Sequence, residues 1–183
     1  MKITDLPLSG LKLVELKLFA DTRGFFVEKY RSNTLAAHGL PAFFPQDNHS
    51  RSIPHVIRGL HFQPTPPQGK LVAVVSGSIF DVAVDIRADS PTFGQHYSVD
   101  LSAENGKLLW IPPGFAHGFC VTSATPADVF YKVDNYYEAT QQCGIRWNDP
   151  ELNIPWPIKD ALVSPKDAEM QSFAEYRKNP VRW

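Results

Sequence analysis

Two apolar runs joined by three small residues constrain the fold of this chain most. Leu71 to Val75 is an unbroken apolar stretch, Ser76-Gly77-Ser78 interrupts it, and Ile79 to Ile86 resumes it. In the second run Phe80, Val82, Val84 and Ile86 alternate with Ile79, Asp81, Ala83 and Asp85. Period two is the side-chain period of a strand, and a short break containing glycine is a turn signal. Leu11 to Phe19, Gly24 to Tyr30, Gln95 to Leu101, Leu108 to Ile111, Gly118 to Thr122 and Val129 to Tyr137 read as further strands. The chain carries 16 prolines, many between apolar runs, as at Pro64, Pro66, Pro67, Pro91, Pro112 and Pro113. Proline cannot donate to a sheet ladder, so these positions keep the strands short. The pattern predicts an all-β fold, a sandwich or jelly roll.

Helical signals are peripheral. Ser32 to His38 suits a short helix. Ser164-Pro165-Lys166-Asp167 supplies a capping serine, a proline at the first helical position and an acid three residues after the cap, with a helix running on to Lys178. No repeat or linker divides the chain, so one domain over residues 1–183 is expected.

Charge and cysteine content narrow the function classes. Lys and Arg total 18 against 19 Asp and Glu, a net charge of -1, so no overall basic field draws the chain to nucleic acid or to an anionic membrane. Cys120 and Cys143 lack metal-ligand spacing, and two thiols make no disulfide framework. No run approaches the ~18 apolar residues of a membrane helix. Met1 to Gly10 lacks the apolar core of a signal peptide. A soluble, cytoplasmic protein is the expectation.

The histidines carry the chemistry. In the stretch Gly106 to His117 the glycine, Pro112, Gly114 and His117 follow the spacing G-x5-P-x-G-x2-H. This resembles the second motif of the cupin superfamily, small jelly rolls that usually hold a metal with three histidines and a glutamate. The first cupin motif would place a His-x-His upstream, then a glutamate seven residues before a glycine. Here the first reads His61-Phe62-Gln63, and Lys70 stands seven residues before Gly77. A lysine ammonium has no lone pair to give a metal and would repel one. The expectation is a cupin-type barrel without a metal or other cofactor, its site converted to organic catalysis.

Several segments, taken in order, resemble the dTDP-4-dehydrorhamnose 3,5-epimerase family. They are Asp21 to Glu28, Gln46 to Ser50, Arg58 to Gln63 followed by Lys70, Asp81 to Arg87 and Ile111 to Phe119. Tyr131-Lys132 with Asn135-Tyr136-Tyr137, Trp147 to Pro150 and Ser164 to Asp167 continue the match. The resemblance implies a cupin-type jelly roll that forms a homodimer by exchanging N-terminal strands. It implies a dTDP-linked 4-keto sugar as substrate and no cofactor. It makes His61 the base, Asp167 its partner, Lys70 the group that polarises the ketone and Tyr131 the acid. Arg23, Phe26, Glu28, Gln46, Asn48, Arg58, His117, Tyr137 and Lys166 fall on substrate-binding positions, with Tyr137 stacking on the thymine ring.

The chemistry is consistent with these residue types. A hydrogen beside a ketone is acidic because its anion delocalises into the carbonyl, and C3 and C5 both flank C4. Imidazole titrates near working pH and suits a base, with a carboxylate to fix its tautomer. A phenol can return the proton, and guanidinium forks at Arg23 and Arg58 match diphosphate oxygens. By spacing alone Asp167 is a helix-capping acid, and the two roles are compatible. Asp81 and Asp85 share one strand face without an evident chemical role, and Gln142 lies in a poorly matched stretch. The alternatives are an epimerase acting at C3 only or at C5 only, a metal-dependent cupin oxygenase, and a sugar-binding jelly roll.

Overall fold

The computed structural model describes residues 1–183. Strands β1 (Lys2–Asp5), β2 (Lys12–Glu15), β3 (Phe19–Asp21) and β4 (Gly24–Phe26) precede helix α1 (Ser32–Ala37). Then come β5 (Gln46–Ser52), β6 (Ile57–Phe62), β7 (Lys70–Ser76), β8 (Ser78–Asp85) and β9 (His96–Ser102). Strands β10 (Lys107–Ile111), β11 (Phe115–Val121), β12 (Ala127–Val133) and β13 (Cys143–Gly144) follow, and α2 (Pro165–Ala168) and α3 (Phe173–Lys178) end the chain.

The strands form a jelly roll of two antiparallel sheets. One has six strands in the order β1-β2-β10-β7-β12-β5, the other five in the order β13-β6-β11-β8-β9. Neighbours in sequence are seldom neighbours in the sheet, and the chain crosses between the sheets repeatedly, as expected of this architecture.

Three apolar layers hold the sheets together. Between them lie Val72, Val74, Leu109, Ile111 and Val129 from the six-stranded sheet and Ile79, Ala83, Phe115, Phe119 and Val121 from the five-stranded one. The outer face of the five-stranded sheet packs Leu60, Val82, Val84 and Ala116 against Leu152, Phe173 and Tyr176 of the C-terminal segment. The outer face of the six-stranded sheet packs Leu71, Ala73, Leu108 and Trp110 against Leu35 and Leu40. Coverage on both faces explains why β7 and β11 read as continuous apolar runs and not as alternating ones.

Four expectations need correction. The strand expected over Leu11 to Phe19 ends at Glu15, and Phe19 opens β3 in a separate hairpin. The strand expected over Gly24 to Tyr30 ends at Phe26, and the one over Val129 to Tyr137 ends at Val133, so Tyr131 and Tyr137 do not share a strand. Beyond Val133 the chain turns, with the Asp134 carboxylate accepting from the Gly69 N–H at 2.6 Å. The single C-terminal helix is two. Gln171 leaves the helix to bridge Ile145, and Ser172 opens α3 with its own capping box to Glu175. The polar strand β5 lay outside every expected strand, as did β1, β6 and β13.

Candidate active site

Strand parity carries the chemical residues into the barrel. On β7, Lys70 shares the inner face with Val72 and Val74; on β12, Tyr131 shares it with Ala127 and Val129. On β8 and β11 the inner residues include Asp81 beside Ile79 and Ala83, and His117 beside Phe115 and Phe119. His117 is the direct cross-strand partner of His61 on β6. These groups meet in a cavity of about 270 Å3 lined by Asn48, Ser50, Arg58, His61, Lys70, His117, Phe119, Tyr131, Tyr137 and Gln142.

Arg58 reaches this cavity through a bulge. Phe119 pairs with Arg58 and His117 with His61, so Gly59 and Leu60 on β6 oppose Gly118 alone on β11. The extra residue turns Arg58 to the same side as His61, although alternation would oppose them. Gly59 is required there. Its φ is +128°, and a Cβ would stand 2.6 Å from the Gly118 Cα and 2.9 Å from the His117 carbonyl oxygen. No side chain fits between the strands.

His61 and Asp167 form a pair across the chain. His61 Nε2 lies 2.8 Å from Asp167 Oδ1, and the Gly59 N–H donates to Asp167 Oδ2 at 3.0 Å. Ser164 Oγ caps the same turn by accepting from the Asp167 N–H at 3.1 Å. Asp167 is therefore both a helix-start acid and the carboxylate behind His61. Burial alone would raise its pKa, but the hydrogen bonds from His61 and Gly59 outweigh this and hold it below its ordinary value. Burial lowers the His61 imidazole, against the opposing pull of Asp167 and with help from Lys70. A neutral ring with Nε2 facing a carboxylate keeps its hydrogen there and leaves Nδ1 free as a base.

Lys70 and Tyr131 meet opposite constraints. Burial lowers the Lys70 ammonium to about 8, with the Asp81 carboxylate pulling the other way. Its Nζ makes only a long contact of 3.5 Å to the His61 carbonyl oxygen, so its hydrogens are available to an oxygen in the cavity. Burial raises the Tyr131 phenol, against the nearby Arg58, so the hydroxyl keeps its proton at neutral pH.

The rim is a polar mesh. Gln46 donates to Asn48 Oδ1 at 2.9 Å and accepts from the Tyr137 N–H at 3.0 Å. Gln142 Oε1 accepts from the Tyr137 hydroxyl and from Lys166 Nζ, both at 2.8 Å. Gln142, left open from the sequence, thus ties Lys166 and Tyr137 to the cavity. Arg58 Nε donates to Ser52 Oγ at 2.9 Å. Arg23, Phe26 and Glu28 are not brought to the cavity. They lie on or beside the exposed β3–β4 hairpin, where Arg23 pairs with Asp21. Sequence reasoning missed Ser50, Phe119 and the partner of Asp81. Ser50 Oγ is the one buried side-chain polar atom without a hydrogen-bond partner. The period-two series Gln46, Asn48, Ser50 was the available signal.

The four cupin ligand positions do not suit a metal. Gln63 Nε2 donates to the Pro66 and Tyr136 carbonyl oxygens, and its Oε1 accepts from the Glu138 N–H, so the amide is spent on the backbone. Lys70 offers a cation where a ligand would be. No group of three or more His, Cys, Asp or Glu is placed to hold a metal ion. No helix is long and apolar enough to cross a membrane.

This arrangement has relatives. The family model for dTDP-4-dehydrorhamnose 3,5-epimerase matches residues 5–175. The dTDP-4-dehydrorhamnose 3,5-epimerase of Shigella flexneri is 48% identical over 177 residues, 96% of this chain and 97% of that protein. The dTDP-4-dehydrorhamnose 3-epimerase of Streptomyces niveus is 36% identical over 179 residues, 97% of this chain and 86% of that protein. Among solved structures, the dTDP-6-deoxy-D-glucose-3,5-epimerase of Legionella pneumophila, in complex with dTDP-4-keto-L-rhamnose, superposes with a TM-score of 0.94 at 44% identity, covering 100% of this chain and 98% of that one. The chain belongs to the dTDP-4-dehydrorhamnose 3,5-epimerase family and is a carbohydrate epimerase.

Proposed function

We propose that this epimerase inverts C3 and C5 of dTDP-4-keto-6-deoxy-D-glucose to give dTDP-4-keto-L-rhamnose, in cytoplasmic dTDP-L-rhamnose biosynthesis. His61 Nδ1 removes the proton beside the ketone, and Asp167 stabilises the imidazolium that forms. Lys70 donates to the C4 oxygen as it becomes an enolate oxygen. Tyr131 delivers a proton to the opposite face and is recharged by solvent. The observation that carries this reading is the placement of base and acid on facing sheets. His61 rises from β6 of the five-stranded sheet and Tyr131 from β12 of the six-stranded one. A sugar ring held between them meets one group on each face, as inversion requires.

The test is proton NMR of dTDP-4-keto-6-deoxy-D-glucose in deuterated water with purified protein and a chelator. Deuterium at both C3 and C5, with inversion at both, is the expected result. Inversion at C3 alone would assign the chain the narrower activity of the Streptomyces niveus relative. Activity lost to the chelator and restored by a divalent ion would overturn the metal-free reading.

The pH profile of kcat/KM should be a bell. The base must be neutral, so activity falls as pH drops through the His61 pKa, which burial holds below the ordinary histidine value. The polarising ammonium must be charged, so activity also falls as pH rises past about 8, where Lys70 loses its proton. Lys70→Met should remove the alkaline limb, measured on the residual activity. A limb unchanged in that variant would assign it to another group.

A dimer would complete the site. The β3–β4 hairpin joins neither large sheet and leaves Phe19, Phe25 and Phe26 exposed at 53%, 54% and 70%. Such an apolar surface favours association. Exchange of this segment between subunits would carry Arg23, Phe26 and Glu28 to the partner's cavity, where Arg23 would meet the diphosphate. Sedimentation should give a dimer at micromolar concentration, and a monomer there would refute the exchange.

A further inference from the structure

Asp81 stands on the inner face of β8 with 0% exposure. A carboxylate placed so deep is costly unless paired, so its partner shows what it serves. Both of its oxygens lie against His117 Nε2, at 3.1 and 2.9 Å. His117 is the cross-strand partner of His61, whose own Nε2 lies against Asp167. Two histidine–carboxylate pairs thus stand side by side on one wall of the cavity.

A ring nitrogen facing a carboxylate carries the hydrogen, which leaves the other nitrogen of the neutral ring with its lone pair. His117 Nδ1 has no hydrogen-bond partner within the chain, yet it is not an enclosed orphan, since that description fits Ser50 Oγ alone. His117 lines the cavity, so Nδ1 opens onto it as an acceptor.

The next step rests on the reaction proposed above. The two carbons that invert differ in what they carry: C3 bears a hydroxyl and C5 a methyl group. An acceptor can orient the C3 end through its O–H and has nothing to hold at C5. We propose that Asp81 is a positioning residue that fixes His117 with Nδ1 toward the cavity, where it accepts the hydrogen of the C3 hydroxyl and favours proton transfer at C3 over C5. A proton is transferred efficiently only when the C–H bond is aligned with the base and the carbonyl, so misplacing that end of the ring slows exchange there.

The experiment measures deuterium exchange at each carbon in Asp81→Asn. The amide can turn its NH2 toward Nε2, which would move the ring hydrogen to Nδ1 and present a donor in place of an acceptor. The C3 rate should fall relative to the C5 rate by about 10-fold or more. His117→Gln, which leaves β8 intact, should show the same bias if Asp81→Asn fails to fold. General loosening of the barrel would lower both rates alike. Equal losses at C3 and C5, or no loss at either, would overturn the assignment. Exchange persisting at both carbons in His61→Asn would instead refute the base on which the proposal rests.

Discussion

His61→Asn should stop deuterium incorporation at both C3 and C5, with a loss of at least the ~10²–10⁴-fold typical of removing a general base. The size follows from the geometry. His61 supplies the one cavity-facing nitrogen backed by Asp167, and both carbons flank the same ketone, so a single base on one face serves both abstractions. Asparagine roughly keeps the imidazole's reach for a hydrogen bond but has no group that titrates near neutrality. The Asp167 carboxylate and the Gly59 N–H contact to it remain, so the variant should fold and bind substrate. Asp167→Asn should be impaired at both carbons as well, because an amide facing Nε2 no longer dictates the tautomer. Exchange at near wild-type rate in His61→Asn would mean that the proton is removed by another group.

How much of this site could be read in advance depends on the residue. Strands β7 and β8 were legible because their apolar runs bracket Ser76-Gly77-Ser78, where the chain crosses from one sheet to the other, and the period-two alternation along β7 places Lys70 on the face of Val72 and Val74. His61 and His117 were legible through motif spacing, and the two are direct cross-strand partners. Asp167 was found only by resemblance. It lies 106 residues from His61, and no local pattern encodes a contact of that range. Strand β5 was missed because Gln46–Ser52 contains no apolar residue; its inner face lines a polar cavity, so burial leaves no hydrophobic alternation. Arg58 was invisible to parity because the β6 bulge reverses it. Arg23, Phe26 and Glu28 show a further limit. Their motif is plain, but the β3–β4 hairpin that carries or adjoins them joins neither large sheet and stands away from the cavity. Asp81 was placed on the correct face without a role, because the role depends on His117 three strands later in the chain.

Tyr131→Phe should separate proton removal from inversion. Epimerisation requires loss of a proton from one face and gain on the other, and one residue cannot reach both faces of a ring held by its nucleotide. His61 stands on the five-stranded sheet, so the second proton must come from the facing wall. There Tyr131 carries a half-buried phenol whose pKa, raised by loss of solvent, keeps it protonated at neutral pH. The substitution removes one oxygen and leaves the ring, so packing against the inner core is retained. Lys70, on the neighbouring strand β7, still stabilises the enolate. His61 can therefore form the enolate and return solvent deuterium to the original face. The variant should exchange substrate hydrogen while making at most a few per cent of the inverted product, on the order of the 10²-fold loss expected when a general acid is removed. The informative measurement is the ratio of deuterium incorporated to inverted sugar formed, which should rise sharply over wild type. Normal yields of doubly inverted sugar from Tyr131→Phe would assign the acid to another donor on that wall, such as an ordered water between Asn48 and Ser50.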